Sequence, residues 1–466
     1  MVISRRDIIR NAALGAGVVA VGNVSSLFSG GAALAAPGRG GTGAYGELVP
    51  DPAGMLDLPP GFRYRIVSTV GEPLSGGGLL PDRFDGTGAF AGPGGSVRLV
   101  RNHEQGGSAT YSTVTPADPA VVYDAGATGG TSTVVLDRHG VKTDEYVSIA
   151  GTYNNCAGGI TPWGTWLTCE ETEVRMGGQY LKDHGFVFEV DPNHPSNNLD
   201  PTPLTALGRF AHEAACIDPA TGHVYLTEDA SNPNGLIYRC VPNVPTAGYG
   251  SLRAGGTLDA MRCYDGGVVA TDLSVYTEPG KELRVEWVRV GDPLAATVST
   301  RKQFAYAGGT SSEAVTRSRK FEGAWWDAGK AFIVASFARP GDGSLGTHDG
   351  QVWSLDPAAD TLTLDVRFEV NSDPAGSGAD QPDGPDNITV SPWGGLLLCE
   401  DGNAVQHLLA VAPDGSTSLF ARNHRDDSEF TGATFSPDRK TLFANIQQPG
   451  VTFAITGPFA RVNRKQ

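Results

Sequence analysis

The sequence predicts an all-β fold of propeller type, with about six blades and long insertions between strands. Three observations lead there. Short runs with strand character recur at close intervals, at residues 63–67, 97–101, 133–136, 185–190, 285–290, 332–336 and 362–368. The turn formers between them, 63 glycines and 31 prolines, are spread along the chain and not gathered in a low-complexity tract. Long amphipathic helical patterns are nearly absent, and one hairpin pattern recurs over most of the chain, which favours radial repetition over a sandwich.

The recurring hairpin is clearest where Thr161-Pro162-Trp163-Gly164-Thr165-Trp166-Leu167-Thr168-Cys169-Glu170 matches Ser391-Pro392-Trp393-Gly394-Gly395-Leu396-Leu397-Leu398-Cys399-Glu400, 230 residues later. Looser copies begin at Asp218-Pro219, Asp327-Ala328 and Ser436-Pro437. Each reads as strand, tight polar turn, strand. Their uneven spacing predicts a large loop within 230–310.

Aligning the copies on their turns exposes one slot at the start of each first strand. It holds Cys156, Glu213, Glu322, Asp386 and Thr431. Small residues follow it, as in Ala157-Gly158, Ala214-Ala215 and Gly323-Ala324, as expected where strands crowd a central axis. The second strand of the hairpin ends in acids: Glu170-Glu171, Glu228-Asp229 and Glu400-Asp401. Both sets therefore lie at one rim. Bare carboxylates gathered there would repel, and bridging cations remove that cost. Oxygen ligands suit Ca²⁺, and a thiolate among them suits a softer transition metal.

Other residues read as structural. Cys169, Cys216 and Cys399 sit inside strands as core thiols, while Cys240 and Cys263 lie in the loop-rich insertion and could pair. Trp163 and Trp393 are expected to anchor blades. His103, at a strand end, is open to either a loop-stabilising or a ligand-supporting role.

The amino terminus carries Ser4-Arg5-Arg6-Asp7-Ile8-Ile9, a weakly apolar run, and Ala33-Leu34-Ala35. This is the plan of a twin-arginine signal peptide over residues 1–35. Export by the twin-arginine machinery to a periplasmic or extracellular location follows. Residues 36–57 read as a flexible leader and 58–466 as one catalytic propeller domain. The formal charge is −16, and Arg5, Arg6 and Arg10 against Asp7 leave −18 beyond the signal. Such acidity argues against nucleic-acid partners. A monomer is expected.

These residues resemble the PhoX-type bacterial alkaline phosphatases. The resemblance rests on Arg101-Asn102-His103-Glu104, on Asn155-Cys156-Ala157-Gly158-Gly159 through Cys169-Glu170-Glu171, and on Gly208-Arg209-Phe210-Ala211-His212-Glu213. It continues in Phe321-Glu322-Gly323 and in Pro385-Asp386-Asn387 through Glu400-Asp401-Gly402. It implies a six-bladed propeller holding Fe³⁺ and Ca²⁺ at its axis, and hydrolysis of phosphate monoesters through a metal-bound oxygen. Carried over by motif, Cys156, Glu171 and Glu213 are expected on the iron side. Glu322, Asp386 and Asp401 are expected to be shared with or given to calcium, and Glu104 is a further expected ligand. Lys320 and Glu322 are the expected catalytic pair. Lys320 stands where the family usually has arginine, which offers a point charge in place of a planar fork and leaves diesters open as substrates. A calcium-dependent lactonase-like hydrolase and a non-catalytic metal-binding propeller are the competing readings.

Overall fold

The computed structural model of the protein describes residues 45–106, 112–245, 247–338 and 348–460. The expected signal segment, residues 1–35, lies outside the described residues. Short strands dominate those described, and the helical pieces are 3₁₀ turns. Every expected run coincides with a strand over most of its length: Arg63–Thr69, Val97–His103, Gly129–Leu136, Val187–Val190, Glu282–Arg289, Lys330–Ala338 and Thr361–Glu369, with residues 185, 186 and 290 left outside.

The repeated hairpins supply the strands nearest the axis. In chain order these are Phe84–Ala91, Asn155–Ile160, His212–Ile217, Phe321–Asp327, Pro385–Val390 and Phe430–Phe435. Each packs beside the next, and Phe430–Phe435 packs beside Phe84–Ala91, which closes a ring. Antiparallel partners extend outward from each. An early and a late strand lock the ring: Arg63–Thr69 pairs with Val451–Thr456 in one sheet. Neighbouring sheets bury apolar side chains between them. Leu396, Leu398 and Leu409, for example, meet Phe332, Val334, Val366 and Phe368. Each such side chain contributes roughly 1.5–3 kcal/mol by leaving water.

Hydrogen bonding draws five sheets and not six separate blades among the described residues. The reason lies in the segment expected as a large loop. It contains Gly256–Asp265 and Glu282–Arg289, which pair with each other, and Glu282–Arg289 also pairs with Thr361–Glu369. That edge joins two blades into one ten-stranded sheet. The expected leader also folds in part. Leu56–Asp57 pairs with Thr417–Asn423, and Tyr45 packs against Phe62 and Phe420. Two strand hydrogen-bonding edges and an apolar core are better satisfied by this segment than by water.

The small residues of the inner strands are required by proximity. A Cβ on Gly159 would lie 1.7 Å from the Ala215 carbonyl oxygen, and one on Gly323 2.8 Å from that of Asp386. Gly159→Ala is therefore expected to cost about 3 kcal/mol. By contrast, Gly164 has open space around it and only a positive φ of 84°, so Gly164→Ala is expected to cost about 1 kcal/mol. Denaturant midpoints of the two variants check the contrast; equal losses would show that crowding at the axis is not the constraint.

The thiols Cys169, Cys216 and Cys399 are core residues as expected. Cys240 and Cys263 are free and buried in the cores instead of joined. Trp163 and Trp393 pack on the cores at the blade turns, and Trp163 Nε1 also donates to Glu189 at 2.6 Å.

Candidate metal centre

All six inner strands begin alike. Their second residues are Asp85, Cys156, Glu213, Glu322, Asp386 and Thr431. Pairing slips around this position in every hairpin: between Phe84 and Thr87, Asn155 and Gly158, His212 and Ala215, Phe321 and Ala324, Pro385 and Ile388, Thr431 and Thr434. Such a bulge bends the strand and re-aims a side chain, here at the mouth of the ring.

A second ring of polar residues stands above the first. Phe84, Asn155, His212, Phe321, Pro385 and Phe430 pair across the hairpin with His103, Glu170, Glu228, Ala335, Glu400 and Ile446. The residues that follow those partners are Glu104, Glu171, Asp229, Ser336, Asp401 and Gln447. Two repeat positions thus converge from six hairpins on one mouth.

Among the described residues, ligand atoms come together in three groups, each within 4.8 Å: Glu104, Cys156 and Glu171; Glu213, Glu322 and Asp386; Asp386, Asp401 and Glu429. All seven expected metal-binding residues are here. The grouping differs from the expected iron side: Cys156 lies with Glu104 and Glu171, while Glu213 lies with Glu322 and Asp386. The slot residue Thr431 brings no charge to the mouth, and its hydroxyl donates to the Phe84 carbonyl at 2.6 Å, which ties the last inner strand to the first.

Two acids, Asp85 and Glu429, escaped the sequence reading, and a third, Asp229, was read at the rim but not as a ligand. Asp85 fills the same slot, with its Oδ2 3.9 Å from the Cys156 sulfur. Its signal was present, because Phe84-Asp85-Gly86 repeats the form of Phe321-Glu322-Gly323. Asp229 occupies the rim position of Glu171 and Asp401. Glu429 precedes its slot residue by two, and no repeat rule pointed to it.

The electrostatics are those of buried acids crowded together. Burial, then the neighbouring acids, pushes Asp85, Glu171, Glu213, Asp386 and Glu429 well above the usual carboxylate range. Burial, opposed by Lys320, brings Glu322 to about 7. Burial and then Asp85 and Glu213 hold the Cys156 thiol well up. Glu213 is only 1% exposed, and among the described residues neither of its oxygens has a hydrogen-bond partner. An unpaired buried carboxylate is costly, so this atom pair fits a cation.

Lys320 is a basic group in the mouth. Its Nζ lies 2.9 Å from Glu322 and 3.9 Å from Asp401. Burial alone would depress this ammonium, but Glu322, Asp229, Asp386 and Asp401 hold its pKa well above the ordinary value. Lys320 sits two residues before its slot with φ at 41°; Arg83 and Asn154 sit two before theirs with φ at 56° and 51°. The left-handed backbone costs roughly 1 kcal/mol at each, and it turns three side chains over the mouth. Asn154 donates to Glu171 at 3.0 Å and Glu104 at 3.3 Å, and Arg83 pairs with Glu104 at 3.2 Å. Arg317, near Lys320 in sequence, instead donates to the carbonyls of Asn234 and Arg301.

The Arg101-Asn102-His103-Glu104 motif divides by role. Arg101 is buried against Glu145 and over the Phe84 ring. Asn102 donates to the carbonyls of Cys156 and Ala157 at 2.6 and 2.7 Å and accepts from Trp166 and Thr168, so it clamps the cysteine strand. His103 has both ring nitrogens engaged, by the Asp82 carbonyl and the Ser132 hydroxyl, and burial and Arg101 push its pKa down to about 3. It is a neutral structural residue, and Glu104 alone reaches the mouth.

Residues 43–450 match the family model described as alkaline phosphatase PhoX. No curated protein matches the chain in sequence. Among solved structures, Pseudomonas fluorescens PhoX in complex with vanadate, a transition state analogue, superposes with a TM-score of 0.63 at 19% identity, covering 91% of this chain and 97% of that one. A gluconolactonase, XC5397 from Xanthomonas campestris, reaches a TM-score of 0.38 at 12% identity, over 89% of this chain and 98% of its own. The family match spans the whole ring of hairpins, and the chain belongs to the PhoX alkaline phosphatase family.

Proposed function

We propose that this phosphatase is an exported phosphoric-ester hydrolase that uses bound iron and calcium to release phosphate, chiefly from monoesters. The observation that carries the metal reading is Glu213, buried with both oxygens unpartnered where acids from five hairpins and a thiol converge. Oxygen donors around Glu213, Glu322, Asp386, Asp401 and Glu429 suit Ca²⁺. Cys156 with Glu104 and Glu171 would suit iron. Bound there, such cations would supply Lewis acidity toward phosphoryl oxygens and lower the pKa of coordinated water.

The chain's own residues supply orientation. Lys320 is a quarter exposed and stands over the acids, so its ammonium can meet a phosphoryl oxygen entering from solvent. Glu322, held by that ammonium, keeps Lys320 aimed at the axis. Arg83 and Asn154 hold Glu104 and Glu171 at the opposite edge. The apolar inner-strand residues below, Ala157, Ala214, Ala324 and Ile388, are buried and line a small cavity on the axis beneath the slot. Twin-arginine export with Arg5 and Arg6, cleavage after Ala35, and action as a monomer are part of the same proposal.

The test is elemental analysis of the purified protein with hydrolysis of an aryl phosphate and of its diester. Metal-replete protein that turns over neither ester would overturn the reading. Lys320→Ala is expected to lower kcat/KM for the monoester by about 10–100-fold, with Lys320→Arg retaining most of it. An unchanged kcat/KM in Lys320→Ala would remove this residue from phosphate binding.

A further inference from the structure

We propose that His184, Arg301 and His407 are positioning residues for the metal centre, each fixing one rim acid by holding the buried acid beside it. The inference rests on the metal reading of the mouth.

Three hairpins end in two adjacent acids, and the structure separates each pair. Glu170, Glu228 and Glu400 are fully buried, while Glu171, Asp229 and Asp401 stand at the rim. Neighbouring residues on a strand point to opposite sides, so whatever holds the inner acid sets the direction of the outer one. An inner acid without a partner would be driven back toward water and would carry the rim acid with it.

Each inner acid meets one buried basic side chain from outside its hairpin. His184 Nδ1 lies 2.7 Å from Glu170, and its Nε2 lies 3.2 Å from Asp124. Both ring nitrogens face carboxylates, so the ring donates from both. Glu170 also accepts from the backbone N–H groups of Tyr153, Gly185 and Phe186. Arg301 Nη1 lies 3.0 Å from Glu228 and 2.6 Å from Glu173, and its Nε donates to the Pro233 carbonyl. Glu228 also accepts from the Tyr238 hydroxyl at 2.7 Å. His407 Nδ1 lies 2.6 Å from Glu400, which accepts from the Asp383 N–H as well.

Arg301 has the widest reach. It sits on a 3₁₀ turn of the long insertion, Thr300–Gln303. Its two acids precede Asp229 by one residue and follow Glu171 by two. One guanidinium therefore sets the spacing of two rim acids from different blades, which gives the insertion a role at the centre. The first hairpin needs no such partner, because His103 takes the inner position itself.

The experiment uses the full-length exported protein and its variants Arg301→Met, His184→Gln and His407→Gln. Calcium chloride is the probe, read by calorimetric titration and by the shift in melting temperature. Each variant is expected to bind calcium about tenfold more weakly and to recover much of its lost turnover in excess calcium. Removing one partner leaves a buried charge, so the paired variants Arg301→Met with Glu228→Gln, and His184→Gln with Glu170→Gln, relieve that charge without restoring the clamp. They are expected to melt near the parent in chelator and still bind calcium weakly. Parent-like calcium affinity in the paired variants overturns the proposal and leaves the metal reading intact. A parent protein that neither binds calcium nor shifts its melting overturns the metal reading, and this inference falls with it.

Discussion

Glu213→Gln is expected to lower phosphatase turnover by about 100-fold or more while raising the melting temperature of the metal-free protein. The two effects have one cause. Glu213 is buried, its oxygens have no hydrogen-bond partner among the described residues, and Glu322, Asp386, Glu171 and Asp85 surround it. Without cations its ionisation is opposed by burial and by those acids, so it costs stability wherever the pH deprotonates it. An amide of the same shape removes the charge and can donate to Glu322 or Asp386. With cations present, the same substitution deletes a central ligand, so the loaded variant should melt below the loaded parent. Scanning calorimetry with chelator and with metal, together with metal content and aryl phosphate hydrolysis, measures both signs. A variant that keeps the parent's metal content and turnover would remove Glu213 from the centre.

Stripping the metals is expected to make stability strongly dependent on pH. Asp85, Glu171, Glu213, Asp386 and Glu429 all hold their protons more tightly in the folded state, through burial and then mutual repulsion. A carboxyl group whose folded pKa is raised contributes stability that is complete below its unfolded value, about 4, and is lost as pH rises through the folded value. For Glu322 that loss runs from there through about 7; for the other acids it extends higher. The stripped protein should therefore melt progressively lower from mildly acid to alkaline buffer. Cations satisfy the ionised acids, so the loaded protein should change much less, and the gap between the two should widen with pH. Melting curves in chelator and in iron with calcium test this. Parallel pH profiles would show that the acids are not coupled to a metal.

The repeat made most of the centre legible before any coordinates. One slot rule, counted from the turn, found Cys156, Glu213, Glu322 and Asp386, because each hairpin has the same strand length between bulge and turn. Asp85 escaped because its strand is longer: Pro93 follows it by eight residues, where Pro162 follows Cys156 by six. The difference of two keeps the side chain on the same face, since strand periodicity is two, so the structure restores it to the ring. The repeat alone made the rim acids legible as pairs; the family resemblance singled out Glu171 and Asp401 but not Asp229. Glu170 and Glu171 are the same residue type, one position apart, and only His184 arriving from the following loop makes the first structural and the second available.

Local pattern by itself determined the all-β class, the recurring hairpin, the crowded axis and the acid-rich mouth, because these depend on residues close in sequence and on the two-residue strand period. The tertiary structure alone decided which acids share a group, that Lys320 and Arg83 overhang the same mouth, that the insertion bridges two blades and delivers Arg301, and that residues from Tyr45 onward pack into the ring. Those outcomes depend on contacts between segments tens to hundreds of residues apart, where distance in sequence carries no record of distance in space.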